Sequence, residues 1–468
     1  MKQLFCLLPI VLFLACTRQF TESKVISFSG IVRLSNELDF SGITVELYGA
    51  ATDTAISNRL TRFPNTGLDR RLDLTFDHRL ATPLYATTTD EEGHYFFSDI
   101  PDGQYHIVAE KADFGWRYLL NVDGASAIPE MKLYREITIS GSIDTYTVWP
   151  AGQHVIINGD LTIREGGTLL IDKGCVVRIG NNYKIEANGG IQVNGTEDDM
   201  VWFTANVPSA ESGYTAWRGV NANGMTTMNC ARLDFAIDGI RTSAAEFTIS
   251  RSLFSRVGNT GILISRESTG IVENCAFFNC PVGVRIEGNS DAQVVRTLFA
   301  TTPISLYGAG IVINASRATV TDNLFRGLGT ACIFEFNTYG DFMHNYLEKC
   351  TTGVYANKAS FAATNPVRME YNILRDCDKT AIEIYNCNAP IIERNNIHYS
   401  GRGWLVSGYA VHWQEAKSVS FPHNYWGLTE VNDVVHYIDV RDNDSATQPY
   451  SIFVEPILTE PHGDAGPR

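Results

Sequence analysis

Between residues 246 and 427 the chain repeats one pattern: an apolar pair, a polar position, any residue, a large apolar residue, a short gap, then Gly or Ala and an alternating apolar run. The large residue falls at Phe254, Phe277, Phe299, Phe325, Leu347, Leu374 and Ile397, at intervals of 23, 22, 26, 22, 27 and 23, and Trp426 closes the series. A unit this short, with the two-residue alternation of strands, cannot bury its apolar side alone. Each unit must stack on the next, so the pattern predicts a β-solenoid whose coils share one continuous core.

Stacking makes the sequence readable in columns, because side chains alternate in and out along a strand and neighbouring strands lie about 4.8 Å apart. Two places before each large residue stand Ser252, Cys275, Thr297, Asn323, Asn345, Asn372, Asn395 and Asn424. The asparagines predict a ladder of amide hydrogen bonds that satisfies polar groups a coil turn would otherwise bury unpaired. Parallel strands joined by crossovers are right-handed almost without exception, so the solenoid should be right-handed.

These coils resemble the right-handed parallel β-helix repeats of the pectin-lyase-like superfamily, in particular its NosD-like members, over about residues 140 to 460. The entry coils, including Trp217-Arg218-Gly219-Val220, and the closing Asn424-Tyr425-Trp426-Gly427 fit the same family. The resemblance implies an all-β chain with the solenoid over 140–427 and a cap over 428–460; the terminal residues 461–468 are expected to be disordered. It is a likeness of the repeat alone and carries over no copper ligand.

Upstream, residues 25–135 hold short alternating runs separated by Gly, Asp and Pro, the mark of a small β-sandwich. Thr89-Asp90-Glu91-Glu92-Gly93-His94-Tyr95-Phe96 followed by Ile100-Pro101-Asp102-Gly103-Gln104-Tyr105 resembles the carboxypeptidase-regulatory-like sandwich. That resemblance implies a spacer or docking module without chemistry of its own. The segment Ala50 to Leu84 is longer than an ordinary loop and is read as a solvated insertion.

Residues 1–16 read as a targeting segment, with Lys2 at the start, an apolar stretch from Leu4 to Leu14, and Phe13-Leu14-Ala15-Cys16 at the end. This resembles a bacterial lipoprotein signal, which implies lipidation of Cys16, a membrane partner through that lipid, and the outer membrane because Thr17 is not Asp. An ordinary secretory peptide with an incidental cysteine is the competing reading. A net charge of −15 argues against nucleic acid as a partner.

Beyond Cys6 and Cys16, eight cysteines remain, all in the solenoid. Cys280, Cys350 and Cys377 share a column that Val257 and Leu328 also occupy, so small buried thiols are favoured over a bridge between Cys350 and Cys377. No CxxC or His/Cys spacing occurs, so neither a metal nor another cofactor is expected. Asp439, Asp442 and Asp444 lack the spacing of a calcium loop and read as a solvated turn.

Function must come from an outward strand face. In the strands that follow the Gly or Ala, one outward column reads Leu263, Arg285, Val312, Ile333, Tyr355, Glu383, His412 and the next ends in Glu335, Asn357, Tyr385, Gln414. His412 is thereby expected one coil above Glu383, with Tyr355 and Tyr385 beside them and Trp404 on a loop over 402–408. Tyr355, Glu383, Tyr385, Trp404 and His412 form the candidate ligand-binding set, with Glu383 and His412 as the candidate catalytic acid/base pair. Glycosidases need two carboxyls about 5 to 9.5 Å apart, whereas Glu287, Glu335 and Glu383 are each two coils apart. Lysine is missing from this strand face, and so is the Gly-His-Gly turn of polygalacturonases. The reading is an exported, lipid-anchored envelope protein, a non-catalytic binder of polysaccharide or a scaffold; the alternative is a polysaccharide lyase or glycoside hydrolase.

Overall fold

The repeat closes into a right-handed parallel β-solenoid. The computed structural model describes residues 25–51, 54–68, 75–125, 127–208, 217–301, 304, 307–359, 366–385, 387, 391–398, 403–410, 418–442 and 451–468. Each coil supplies three strands, as in Glu246–Ser250, Leu253–Ser255 and Thr260–Ser265, before the next begins at Thr269–Glu273. The prism therefore has three sides. One is a flat 11-stranded sheet running from Tyr146–Trp149 to Ile391–Glu393. A second, built on three-residue strands such as Leu298–Ala300 and Tyr346–Glu348, is the covered face. The third, with Val282–Glu287, Thr352–Asn357 and Thr380–Tyr385, is the open face. The first solenoid strand is Ile137–Ile143, which already pairs in parallel with His154–Ile163.

At the corner between flat and covered faces each coil passes through a residue of positive φ that is not glycine: Asp322 (60°), His344 (56°), Tyr371 (58°), Arg394 (60°). That conformation costs about 1–2 kcal/mol for an L-residue. The asparagine that follows it offsets the cost. Asn345 Oδ1 accepts both the backbone N–H of Asn323 and its Nδ2–H at 3.0 Å, while Asn345 Nδ2 donates to Val320 O at 2.9 Å and to Asn372 Oδ1 at 3.0 Å. Asn372, Asn395 and Asn424 continue the same pattern.

Inside, Phe254, Phe277, Phe299 and Phe325 stack with ring centroids 4.8 to 4.9 Å apart and planes within 9°. The rings explain the Gly/Ala position of the repeat. A Cβ on Gly283 would lie 2.5 Å from Phe299 Cδ1 and 2.6 Å from Gly310 O, so only glycine fits under a phenylalanine. Ala331 and Ala381 occupy that phase in coils whose large residues are Leu347 and Ile397.

The sandwich joins a sheet of Val25–Leu34, His94–Pro101 and Met131–Leu133 to one of Thr44–Gly49, Tyr85–Thr88, Tyr105–Lys111 and Gly115–Val122. Alternate residues such as Val45, Leu47, Tyr95 and Phe97 bury between them. The turn before His94 is held by Asp90 Oδ1, which accepts the N–H groups of Glu92 and His94.

Two expectations are corrected on the covered face. Its outward residues Leu253, Phe278, Leu298, Leu324, Tyr346 and Ile373 are apolar, and exposing them would forfeit burial worth about 25 cal/mol per Å². Segment 54–68, expected to be solvated, covers them: helix Thr54–Arg62 sets Ile56 against this cluster, Leu68 joins it, and Arg59 Nη2 bonds Glu348 Oε2 at 2.7 Å. Residues 461–468, expected to be disordered, also dock here. Asn396 and His462 exchange two hydrogen bonds, Gly466 N–H donates to Tyr371 O, and Arg468 N–H donates to Asp322 Oδ1.

Where the sandwich meets the solenoid, guanidinium and indole groups alternate. Arg178 lies 5.1 Å from the Trp116 ring, Arg79 lies 5.0 Å from both Trp116 and Trp202, and Arg232 lies 4.1 Å from Trp202. Asp77 and Asp234 pair with Arg79 and Arg232. Buried ions are stable only when so matched. His154 sits at the edge of this stack with Nε2 2.8 Å from the Trp116 carbonyl and 3.3 Å from its N–H, and burial pushes its pKa down to about 3.

Replacing Asn372 by Leu should take from Phe342 O its Asn372 Nδ2 donor and from the Asn345 backbone N–H its Asn372 Oδ1 acceptor, and should halve the bonds of Asn345 Nδ2 and Asn395 Oδ1 in the ladder. Denaturant unfolding should then show a loss of about 1 to 3 kcal/mol; an unchanged midpoint would contradict a buried ladder. His154 gives a pH signature. Because its folded pKa lies below the unfolded value of 6.5, the unfolded chain binds the extra proton between the two, so stability is full above 6.5 and falls towards 3. The slope contributed is at most about 1.4 kcal/mol per pH unit. Midpoints measured between pH 7 and 4 should drop less steeply in His154→Gln than in wild type, and parallel slopes would count against it.

Candidate functional site

The open face carries the outward columns that the repeat predicts, up to one coil from its end. Backbone pairing runs Leu263, Arg285, Val312, Ile333, Tyr355, Glu383 in one column and Glu287, Asn314, Glu335, Asn357, Tyr385 in the next. The next coil differs. Its strand is Trp404–Ala410, which sets Trp404 beside Thr380, Val406 beside Ile382, Ser407 beside Glu383 and Tyr409 beside Tyr385. Ser407, not His412, therefore stands over Glu383, and the expected loop over 402–408 is in fact mostly strand. The Gly/Ala phase misleads here because Leu405, 1% exposed, fills it. His412 itself lies outside the described residues, as does Cys16.

Tyr355, Glu383 and Tyr385 come together on this sheet, whereas Trp404 pairs with Thr380, five residues along the strand from the position beside Tyr385. The Tyr355 and Tyr385 rings sit on adjacent coils with centroids 5.6 Å apart and planes at 43°. Between them Glu383 is only 4% exposed, although its side chain is on the outer side. Both carboxylate oxygens are engaged: Lys379 Nζ donates at 2.8 and 3.0 Å, Tyr385 Oη at 2.8 Å and Thr352 Oγ1 at 3.5 Å. Lys379 thus supplies the cation that the strand positions lack. Partial burial, then the carboxylates of Glu383 and Glu335, hold the Tyr355 phenol above its ordinary range, so it is a neutral donor at physiological pH. Trp404, 40% exposed, stands at the start of the last of these strands and its N–H donates to Lys379 O.

Phe336 was not singled out from the sequence. It follows the outward Glu335 at a corner, is 43% exposed, and has Lys358 Nζ 5.4 Å from its ring. Its signal was its place directly after an outward column residue, where a large apolar side chain has no core to enter. Chemically the patch offers aromatic faces, hydroxyls and anchored carboxylates. Glu383 is bound to a cation and two hydroxyls.

Elsewhere, the described residues bring one trio of possible metal ligands together, the exposed Asp90, Glu92 and His94 on the sandwich hairpin. Asp439 and Asp442 lie on strand Ile438–Asp442 rather than in a turn, and Asp444 lies outside the described residues. The eight solenoid cysteines are buried thiols with none bridged, and burial raises Cys350 to about 12 and Cys377 in the same direction.

A family model described as the right-handed β-helix region matches residues 152–299 and 298–418. No curated protein sequence matches the chain. Among solved structures, similarity is found to the periplasmic alginate epimerase AlgG, at 12% identity over 69% of this chain and 85% of that one with a TM-score of 0.37. The catalytic unit of a thermostable GH87 α-1,3-glucanase from Streptomyces thermodiastaticus strain HF3-3 matches at 9% identity, 92% and 86% coverage and TM-score 0.46. A family 28 exopolygalacturonase from Yersinia enterocolitica matches at 11% identity, 93% and 99% coverage and TM-score 0.30. At such scores none of these lends its activity to this chain.

Proposed function

The chain belongs to the right-handed β-helix family, and on that premise we propose that it is an exported, lipid-anchored envelope protein that holds polysaccharide on its open face without cleaving it. The observation that carries this reading is the Tyr355–Tyr385 pair on adjacent coils, with rings 5.6 Å apart. A parallel sheet fixes that spacing, and ring faces offered at a fixed spacing pack against the CH faces of sugar residues. Trp404, 40% exposed at the start of the next strand, offers a further ring on the same sheet. Glu383 is a positioning residue: bonded to Tyr385 Oη and Lys379 Nζ, it fixes the ring and matches the cation.

Support for binding over turnover lies in the same bonds. A general acid or base must exchange its proton with substrate within hydrogen-bond reach. Lys379 is bonded to both oxygens of Glu383 and Tyr385 Oη to one of them, and the residue is 4% exposed, so its carboxylate is already engaged within the chain and closed to a sugar hydroxyl. Anchoring rests on the segment ending in Cys16, whose pattern fits lipidation and outer-membrane sorting. The sandwich, of the carboxypeptidase-regulatory-like kind by its sequence, then links anchor to solenoid as a spacer fixed at the Arg/Trp stack.

Two outcomes check the proposal. Affinity gels or arrays of envelope and plant polysaccharides should retain the wild-type chain, and Tyr355→Ala and Trp404→Ala should weaken retention by about two- to tenfold each, the loss of a ring contact of about 0.5–1.5 kcal/mol. Equal retention at unchanged melting temperature would remove the open-face site. For the anchor, Cys16→Ala should abolish fatty-acid labelling and release the protein from membranes, and unchanged labelling would sink it.

A further inference from the structure

Sandwich and solenoid do not close completely on each other. Beside the Arg/Trp stack they leave a cavity of about 420 Å³, within the range of pockets that enclose small ligands, at the kind of domain junction where such pockets concentrate. Tyr118, Leu119 and Val122 of the sandwich face Asp199 and Met200 of the solenoid across it. Trp116 also lines it, and this residue is 2% exposed with an indole N–H that has no acceptor within the chain. That N–H is itself closed off from the cavity, so what the cavity presents is apolar wall from Leu119, Val122 and Met200 beside the Asp199 carboxylate.

Charge narrows what fills it. Arg117 bonds Asp199 Oδ1 and Gly174 O, each at 2.8 Å. Arg232 is consumed by Asp234 and by the carbonyls of Thr75 and Phe76. Glu197 lies 3.8 Å from Arg251, and Asp198 is also engaged within the chain. Every charge at the cavity is matched, so a charged ligand would enter without a counterion and pay its full desolvation. A sugar suits the remaining surface: its hydroxyls donate, as to the Asp199 carboxylate, while its CH groups pack on Leu, Val and Met.

We propose that this junction is a second binding site, separate from the open-face site, for a neutral mono- or disaccharide. The test is saturation-transfer difference NMR on the full chain with glucose, galactose, mannose, cellobiose and maltose, and with galacturonate as the anionic counterpart. At least one neutral sugar should give a saturable signal, galacturonate at least fivefold less. Met200→Trp, which fills the cavity, and Asp199→Asn, which removes its carboxylate, should each reduce that signal at least fivefold when made in the Tyr355→Ala background, which removes the open-face contribution. If Met200→Trp fails to fold, Asp199→Asn decides alone. A signal from no neutral sugar, an equal signal from galacturonate, or a signal indifferent to the junction variants would overturn the site. Loss of the signal in Tyr355→Ala alone would assign it to the open-face site instead.

Discussion

Each coil must lie one strand spacing above the last, and the amide ladder is what enforces that spacing at the most strained point of the turn. A residue of positive φ sits just before each ladder asparagine, and there Oδ1 and Nδ2 bond the coils on both sides. The phenylalanine stack keeps the same 4.8–4.9 Å step within the core, and glycine is admitted beneath it where a Cβ would strike the ring. Ladder and stack together make the outer faces regular. Regularity of that kind gives a patch of side chains on the open face a defined geometry without any loop to hold it.

The columns were legible because their chemistry is periodic. Asn323 to Asn424, the phenylalanines and the outward series through Tyr355 and Glu383 all recur at the coil interval, and the observed pairing follows them. Reading failed where periodicity stops. At the last outward coil Leu405 replaces the small residue that marks the strand start, and a second alternating run further on drew the register to His412. Segment 54–68 and residues 461–468 carry no repeat, yet they cover the apolar outer residues of the short strands. Those residues were apolar on both sides of their strands, and that was the signal that something had to cover them. Burial of Glu383 under Lys379 and Tyr385 depends on side-chain direction at one coil, which columns do not encode.

The junction shows why the sandwich is part of the functional unit. Its five alternating Arg and Trp residues, at positions 79, 116, 178, 202 and 232, are scattered through the sequence and meet only on folding. They fix the sandwich against the first coils and leave a mainly apolar cavity there, while the Tyr355–Tyr385 pair lies towards the other end of the open face. Both regions offer hydrogen-bonding groups beside apolar surface, and in both the charged side chains are largely matched within the chain. That combination favours holding a neutral sugar over transferring a proton.

Binding without turnover is the central claim, and one incubation tests it. The full chain is mixed with a neutral polysaccharide that it retains, and bound polymer, reducing ends and unsaturated products are measured in the same sample over time. The account predicts saturable binding with both kinds of chain end staying at the protein-free level. A steady release of reducing ends or unsaturated products that scales with protein concentration would contradict it.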